Sequence, residues 1–292
     1  AALCEREDGA SVSATFMRRR ARSAALFAVG GEGVVQRRQL FDAPGFVPSY
    51  PGTNLLGAFV QAAFATDQTY PFSISRENGV SLSGILVRRW DLERNQTASG
   101  TPIDRSYDEA RAIGAAFRSL RGPGFANHVV AARVAAAIRS GPGADAFGIG
   151  GASGGGLGLG PFGTIGDRRA FPVRGFAPDS RSGTRAWTAT AEYRFPLALV
   201  GRGVQLWPAY LDRLSAAAFV DAGDAWCTAE QFAAMAGCDA VDAAPIVGAG
   251  AELVVDVNMS IPTRFRAGLG FPIHGAAPGS RPVAYFQVGS YF

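Results

Sequence analysis

Nowhere in these 292 residues do 18 apolar side chains run together, yet apolar residues return at every second position in segment after segment. The first fact excludes a helical membrane span, which needs about 20 predominantly apolar residues. The second is the period of a β-strand, whose successive side chains point to opposite faces. The run from Val130 to Arg139 shows the pattern most openly. Val130, Ala132, Val134, Ala136 and Ile138 share one face, and Arg133 and Arg139 stand on the other. An apolar face backed by isolated arginines suits a strand with lipid outside and a polar lumen inside, although a soluble sandwich hides an apolar face equally well. Composition favours lipid. Hydrophobic residues make up 48% of the chain, charged residues only 18%, and there are 38 glycines, a mix poor for a soluble enzyme and fitting for an antiparallel transmembrane β-barrel.

The net charge is +4, and all 28 basic residues are arginine. They recur singly within strand-like runs, as at Arg133, Arg139, Arg194, Arg264 and Arg266, rather than clustering on one face, so no nucleic-acid partner is expected. Of the three cysteines, Cys227 and Cys238 fall in one loop. A local disulfide in an oxidising compartment and two free thiols both fit that placement. No basic-then-apolar leader is visible at Ala1, which suggests a removed signal peptide or a domain cut from a longer protein.

Taken in order, residues 1–10 are polar without periodicity, Ser11–Arg20 alternates, and Arg22–Gln36 reads as one strand with a turn near Gly30-Gly31. Asn54–Ala65, Gly79–Trp90, Arg111–Leu120 and the run through Ile138 follow, with a charged loop over 91–110. Residues 146–163 read as a glycine-rich strand leading into a long loop. Five more strands come after it, near Arg185–Leu197, Arg213–Gly223, Pro245–Val257, Arg264–Phe271 and Val283–Phe292. The total is about 12, as many as this length carries at about 9–11 spanning residues each. If Phe292 lies at the periplasmic rim, residues 164–184, 224–244 and 272–282 fall outside and the tight 258–262 turn inside, the usual outer-membrane arrangement.

The long loop contains Phe171-Pro172-Val173-Arg174-Gly175-Phe176-Ala177-Pro178-Asp179. Two prolines and a glycine oppose regular structure, and the apolar residues around Arg174 are suited to burial. A buried arginine needs an acidic partner. Alternation supplies two. Trp187, Ala189, Ala191, Tyr193 and Phe195 face lipid, leaving Thr188, Thr190, Glu192 and Arg194 on the lumen wall. On the next strand Leu214, Ala216, Ala218 and Val220 face lipid, leaving Ser215, Phe219 and Asp221 inside. A guanidinium can serve two carboxylates at once, so Arg174 is expected to join Glu192 and Asp221. Asp256 and Arg264 face the lumen across a tight turn and are expected to form a structural ion pair.

Val173-Arg174-Gly175-Phe176, Glu192 in AEYRFP, Phe219-Val220-Asp221-Ala222-Gly223 and a final strand ending in Phe292 together resemble the BamA/TamA outer-membrane assembly barrels, the bacterial surface antigen superfamily. The resemblance is specific over residues 146–292 and architectural before that, with 1–292 read as one barrel domain. It implies a loop folded back into the lumen, its arginine paired with acidic residues of the following strands. Phe286, Val288, Gly289, Tyr291 and Phe292 resemble the terminal signal by which such barrels are recognised for insertion. Family barrels have 16 strands behind periplasmic POTRA domains, so the resemblance implies that this chain is part of a 16-stranded barrel or a barrel closed with about 12 strands, with an upstream periplasmic domain. The EYRFPL, LDRL and FVDAG wording also resembles barrels fused behind TolB-like propeller repeats.

The function so implied is protein insertion or translocation in the bacterial cell outer membrane. Its partners would be outer-membrane lipid and unfolded outer-membrane proteins or secreted polypeptides, handled through the lumen and a lateral seam. The alternative is a passive pore or an anchor for an upstream domain. An enzyme is a third and weaker reading. Gly151-Ala152-Ser153-Gly154-Gly155 matches G-x-S-x-G, but no helix and no suitably placed histidine follow it. Gly158-Leu159-Gly160-Pro161-Phe162-Gly163 matches G-x-G-x-x-G with no helix to hold a pyrophosphate. No Cys/His cluster has metal-ligand spacing, and no cofactor or metal is expected.

Overall fold

The computed structural model describes residues 2–41, 53–93, 104–152, 157–158, 164–165, 170–203, 210–234, 238–239, 244–259, 261–276 and 279–288. Six strands come first: β1 (Ala2–Arg20), β2 (Ser23–Phe41), β3 (Thr53–Ala65), β4 (Gly79–Asp91), β5 (Tyr107–Leu120) and β6 (His128–Ser140). Five short ones follow: β7 (Phe147–Ile149), β8 (Leu157–Gly158), β9 (Thr164–Ile165), β10 (Ala170–Phe171) and β11 (Arg181–Gly183). The chain finishes with β12 (Arg185–Gly203), β13 (Tyr210–Trp226), helix α1 (Ala229–Ala234), β14 (Ile246–Met259), β15 (Ile261–His274) and β16 (Val283–Val288). The long strands make one 11-stranded antiparallel sheet in the order β1 to β6, then β12 to β16. No helix among the described residues is long and apolar enough to cross a membrane.

A strand of 13 residues, such as β4 or β6, is roughly 43 Å long at about 3.3 Å per residue, and spans about 30 Å when tilted near 45°. That is the thickness of a bilayer core. Burial along β6 alternates residue by residue, with Ala131, Arg133, Ala135, Ala137 and Arg139 buried and Val130, Val134 and Ile138 exposed. Leu56, Leu82, Leu86, Val220, Leu253 and Leu269 repeat that exposure around the outer face. An apolar belt of this extent is an aggregation surface in water and the natural facing for hydrocarbon.

The sheet is strongly curved. Arg213 on β13 donates to the carbonyls of Pro71 and Ser73, and Arg264 on β15 to that of Ile74, all in the β3–β4 connection. β4 and β13 are four strand spacings apart in the sheet, about 19 Å if it were flat. Among the described residues no pairing joins β1 to β16. Strands β2 to β3, β4 to β5, β6 to β12, β13 to β14 and β15 to β16 connect at one end, the loop end. The remaining connections lie at the other, the turn end, where Met259 pairs with Ile261.

Four details differ from the sequence reading. Residues 2–10 belong to β1, because its backbone ladder with β2, from Ala2 opposite Phe41 to Arg20 opposite Ser23, needs no apolar face. β2 runs straight through Gly30-Gly31; a Cβ at Gly30 would press on the Phe59 ring, so the glycine serves packing rather than a turn. β5 starts at Tyr107, since Glu109 is held on the lumen face by Arg139 and Arg111 instead of lying in a charged loop. Finally, among the described residues the 146–163 segment contributes β7 and β8 outside the wall, which there counts 11 strands. Its first part, β7, pairs with β10 and β11 in a small separate sheet. A Cβ at Gly148 would meet the Asp179 carboxylate of the returning limb, so the two limbs of the loop lie close together there. Phe147, Ile149, Phe171, Val173 and Phe176 pack with wall residues Ala135, Ala137, Ala186, Ala225 and Ile246 as the main apolar core.

Candidate functional site

Pro172, Val173, Arg174, Gly175 and Phe176 are all buried inside the curve of the sheet. Phe171 and Phe147 meet edge to face at 5.6 Å, joining the returning limb of the loop to its outgoing limb. Gly175 has φ of 98°, a backbone state that side chains oppose, and it packs on β15 at Phe271. The wall is cut to receive it. A Cβ at Gly248 would strike the Arg174 carbonyl, and one at Gly270 would strike Gly175. Gly223, expected in this site, lies beneath Val173 on the same wall.

Arg174 is fully buried. Its Nε and Nη2 donate to Asp221 Oδ2 and Oδ1 at 2.7 and 2.8 Å, and its backbone N–H donates to Oδ2 at 2.9 Å. Nη1 lies 2.7 Å from Glu192 Oε1 in a charge contact, and 3.4 Å from Glu252 Oε2. The guanidinium sits 3.6 Å above the Phe219 ring. Arg194 holds the other Glu192 oxygen at 2.7 Å, Arg266 bonds Glu252, and Tyr285 donates to Glu252 Oε2 at 2.9 Å. Three arginines therefore meet three carboxylates with no net charge. Balance of this kind is what lets six charges persist away from water, since a buried ion left without its counterpart is costly.

This network crosses the wall from β12 to β16. A second contact ties the loop to β16 as well, because Gln287 donates to the Ala152 carbonyl. Phe147, fully buried, lies under the guanidinium groups of Arg139 and Arg111 at 4.6 and 5.8 Å, which fix the outgoing limb to β5 and β6.

Arg174, Glu192 and Asp221 thus lie together, and Asp256 and Arg264 pair at 2.6 Å. Cys227 and Cys238 form a disulfide with Cα atoms 5.8 Å apart. Phe286 and Val288 point outward from β16, Phe286 against Phe265 at 6.0 Å. Gly289, Tyr291, Phe292 and Ser153 lie outside the described residues. Glu252, Arg266, Tyr285 and Gln287 join the site unanticipated. Alternation does reach the first two: Glu252 shares a face with Asp256, and Arg266 with Arg264.

Residues 90–292 match the Omp85 superfamily domain. The chain belongs to the Omp85 superfamily. Its fold is similar to the crystal structure of BamA from Haemophilus ducreyi lacking POTRA domains 1–3, with a TM-score of 0.58 and 14% identity, covering 98% of this chain and 55% of that one. The chain thus spans about half the length of that structure. No curated protein matches it.

Proposed function

We propose that this Omp85 chain is the loop-and-seam part of a bacterial outer-membrane barrel that inserts or translocates polypeptides. Unfolded outer-membrane proteins or secreted chains would be its substrates, and lipid its surroundings. The turn end would face the periplasm, where an upstream domain would deliver the substrate. The observation that carries this reading is the continuity of the polar network from Arg174 to Tyr285. The loop in the lumen and the last strand of the sheet are held by the same carboxylate, Glu252. A change at the seam is therefore felt by the loop.

β16 supports the same reading. Among the described residues it covers β15 from Phe265 to Gly270, and the loop-end part of β15, Phe271–His274, extends past it. A strand edge is a template for strand addition, which gives catalysis of assembly a physical basis without covalent chemistry. The test is a cysteine at Phe286 disulfide-linked to the first strand of the full-length barrel. Locking is expected to abolish assembly of a model outer-membrane substrate, with recovery on reduction. Full activity in the locked barrel would refute a working seam, and conductance indifferent to locking would mark a passive pore.

A further inference from the structure

The β3–β4 connection, residues 66–78, is not a simple turn. It begins as an extension of the hairpin, with Gln68 bridged to Asn78, then folds on itself. Ser73 Oγ accepts from the Tyr70 N–H at 2.9 Å and donates to Glu77 Oε1 at 2.6 Å. Asn127, from the neighbouring turn, donates to the other Glu77 oxygen at 2.8 Å. Ser73, Ile74, Ser75 and Glu77 are all at least nine-tenths buried, unusual for a connection at the end of a sheet.

Burial comes from contact with the opposite wall. Arg213 Nη1 donates to the Ser73 carbonyl at 2.8 Å and Nη2 to the Pro71 carbonyl at 3.2 Å. Arg264 Nη2 donates to the Ile74 carbonyl at 2.9 Å. These two arginines flank Asp256 in the ladder, opposite it on β13 and on β15, and Arg264 is oriented by Asp256 through two bonds of 2.6 and 2.9 Å. The grip is therefore two braced arginines, Arg264 held by Asp256 and Arg213 by Asp212, closing on backbone carbonyls. Ile74 and Ser75 at the tip line a small polar cavity with Arg194, Glu252 and Arg266, members of the network that holds the loop.

We propose that residues 66–78 are a strap that closes the turn end of the lumen, and that release of the Arg213 and Arg264 bonds opens it. The VRGF loop fills the lumen from the loop end and the strap from the turn end, with the charged network between them. The strap is the part built to yield. Its contacts with the opposite wall are three hydrogen bonds from two side chains to carbonyl oxygens, each modest in net strength, while Asn78 exchanges hydrogen bonds with Ser119 and Arg76 lies over the Phe117 ring, holding its root to β5. The loop, in contrast, is held by buried ion pairs and an apolar core.

The inference rests on the barrel fold and not on assembly activity, so it is tested by conductance with no substrate present. Full-length protein in planar bilayers carrying Arg213→Ala with Arg264→Ala is expected to show a several-fold rise in time-averaged conductance, with heat-modifiable gel migration retained. In a second variant, Ile74→Cys and Val254→Cys, facing the same cavity, are joined by a cleavable thiol crosslinker in the otherwise native chain. Crosslinking is expected to suppress spontaneous openings, and cleavage of the linker to restore them. A folded arginine variant with native conductance would overturn the proposal. Should that variant not fold, the crosslinked chain decides alone, and openings that persist in it reject the strap as the closure. Loss of seam-dependent assembly with this result intact would count against the proposed function only.

Discussion

Replacing Arg174 by alanine removes one of three positive charges from a buried cluster of six. Glu192, Asp221 and Glu252 then face Arg194 and Arg266 alone, and Asp221 loses both of its side-chain donors. Breaking a buried pair in this way costs about 3–5 kcal/mol, and loss of the stacking on Phe219 adds to it without being strictly separable. The loss is therefore expected at the upper part of that range. Urea unfolding of the detergent-reconstituted barrel, followed by heat-modifiable migration, reads the stability. Protease protection of residues 141–184 reads whether the loop stays docked. The charge argument has its own control. Arg174→Ala combined with Asp221→Asn restores neutrality, two against two, and is expected to recover part of the loss although it deletes a second group. A double variant no more stable than Arg174→Ala would refute charge balance as the basis of the latch, and native stability with native protection in Arg174→Ala would refute the latch itself.

Other perturbations separate the remaining parts. Tyr285→Phe deletes the donor from β16 to Glu252 and is expected to cost about 1–3 kcal/mol; hydrogen exchange should show the loss concentrated in β16 and the loop. Phe147→Ala empties a fully buried site between two guanidinium groups and Phe171, for about 3–5 kcal/mol in urea unfolding. Gly248→Val places a side chain where the Arg174 carbonyl lies and is expected to expel the loop, read as new protease cleavage between residues 170 and 184. Cys227→Ser with Cys238→Ser is expected to open α1 to chymotrypsin at Phe232 while heat-modifiable migration of the barrel stays unchanged.

How much of this is legible in the residues differs from part to part. Alternation along β12 and β13 is enough to place Glu192 and Asp221 on one wall, because strand side chains have a strict period of two. The same rule extends to Glu252 and Arg266. What it does not provide is depth: nothing in the spelling of β14 distinguishes Glu252, next to the loop, from Asp256, next to the turn end. The glycines around 146–163 look like a strand because glycine density accompanies barrel strands, whereas Gly148 sits in β7 between the two limbs of the loop. The strap is the least readable element. Arg213 and Arg264 bind carbonyl oxygens, which every residue owns, so residues 66–78 carry no side-chain mark of their partner. Tyr285 and Gln287 sit in a terminal strand whose aromatic ending draws attention to the outward set instead.

That last alternation has a consequence for any strand that takes the place of β16 on β15. Phe286 and Val288 point outward, while Tyr285 and Gln287 serve Glu252 and the Ala152 carbonyl. An incoming strand with donors at the same two inward positions inherits both bonds, and one with leucine or valine there leaves a buried carboxylate short of a donor. Under the proposed function the seam would read the inward-facing half of a visiting strand, with a glutamate whose other bonds already hold the loop.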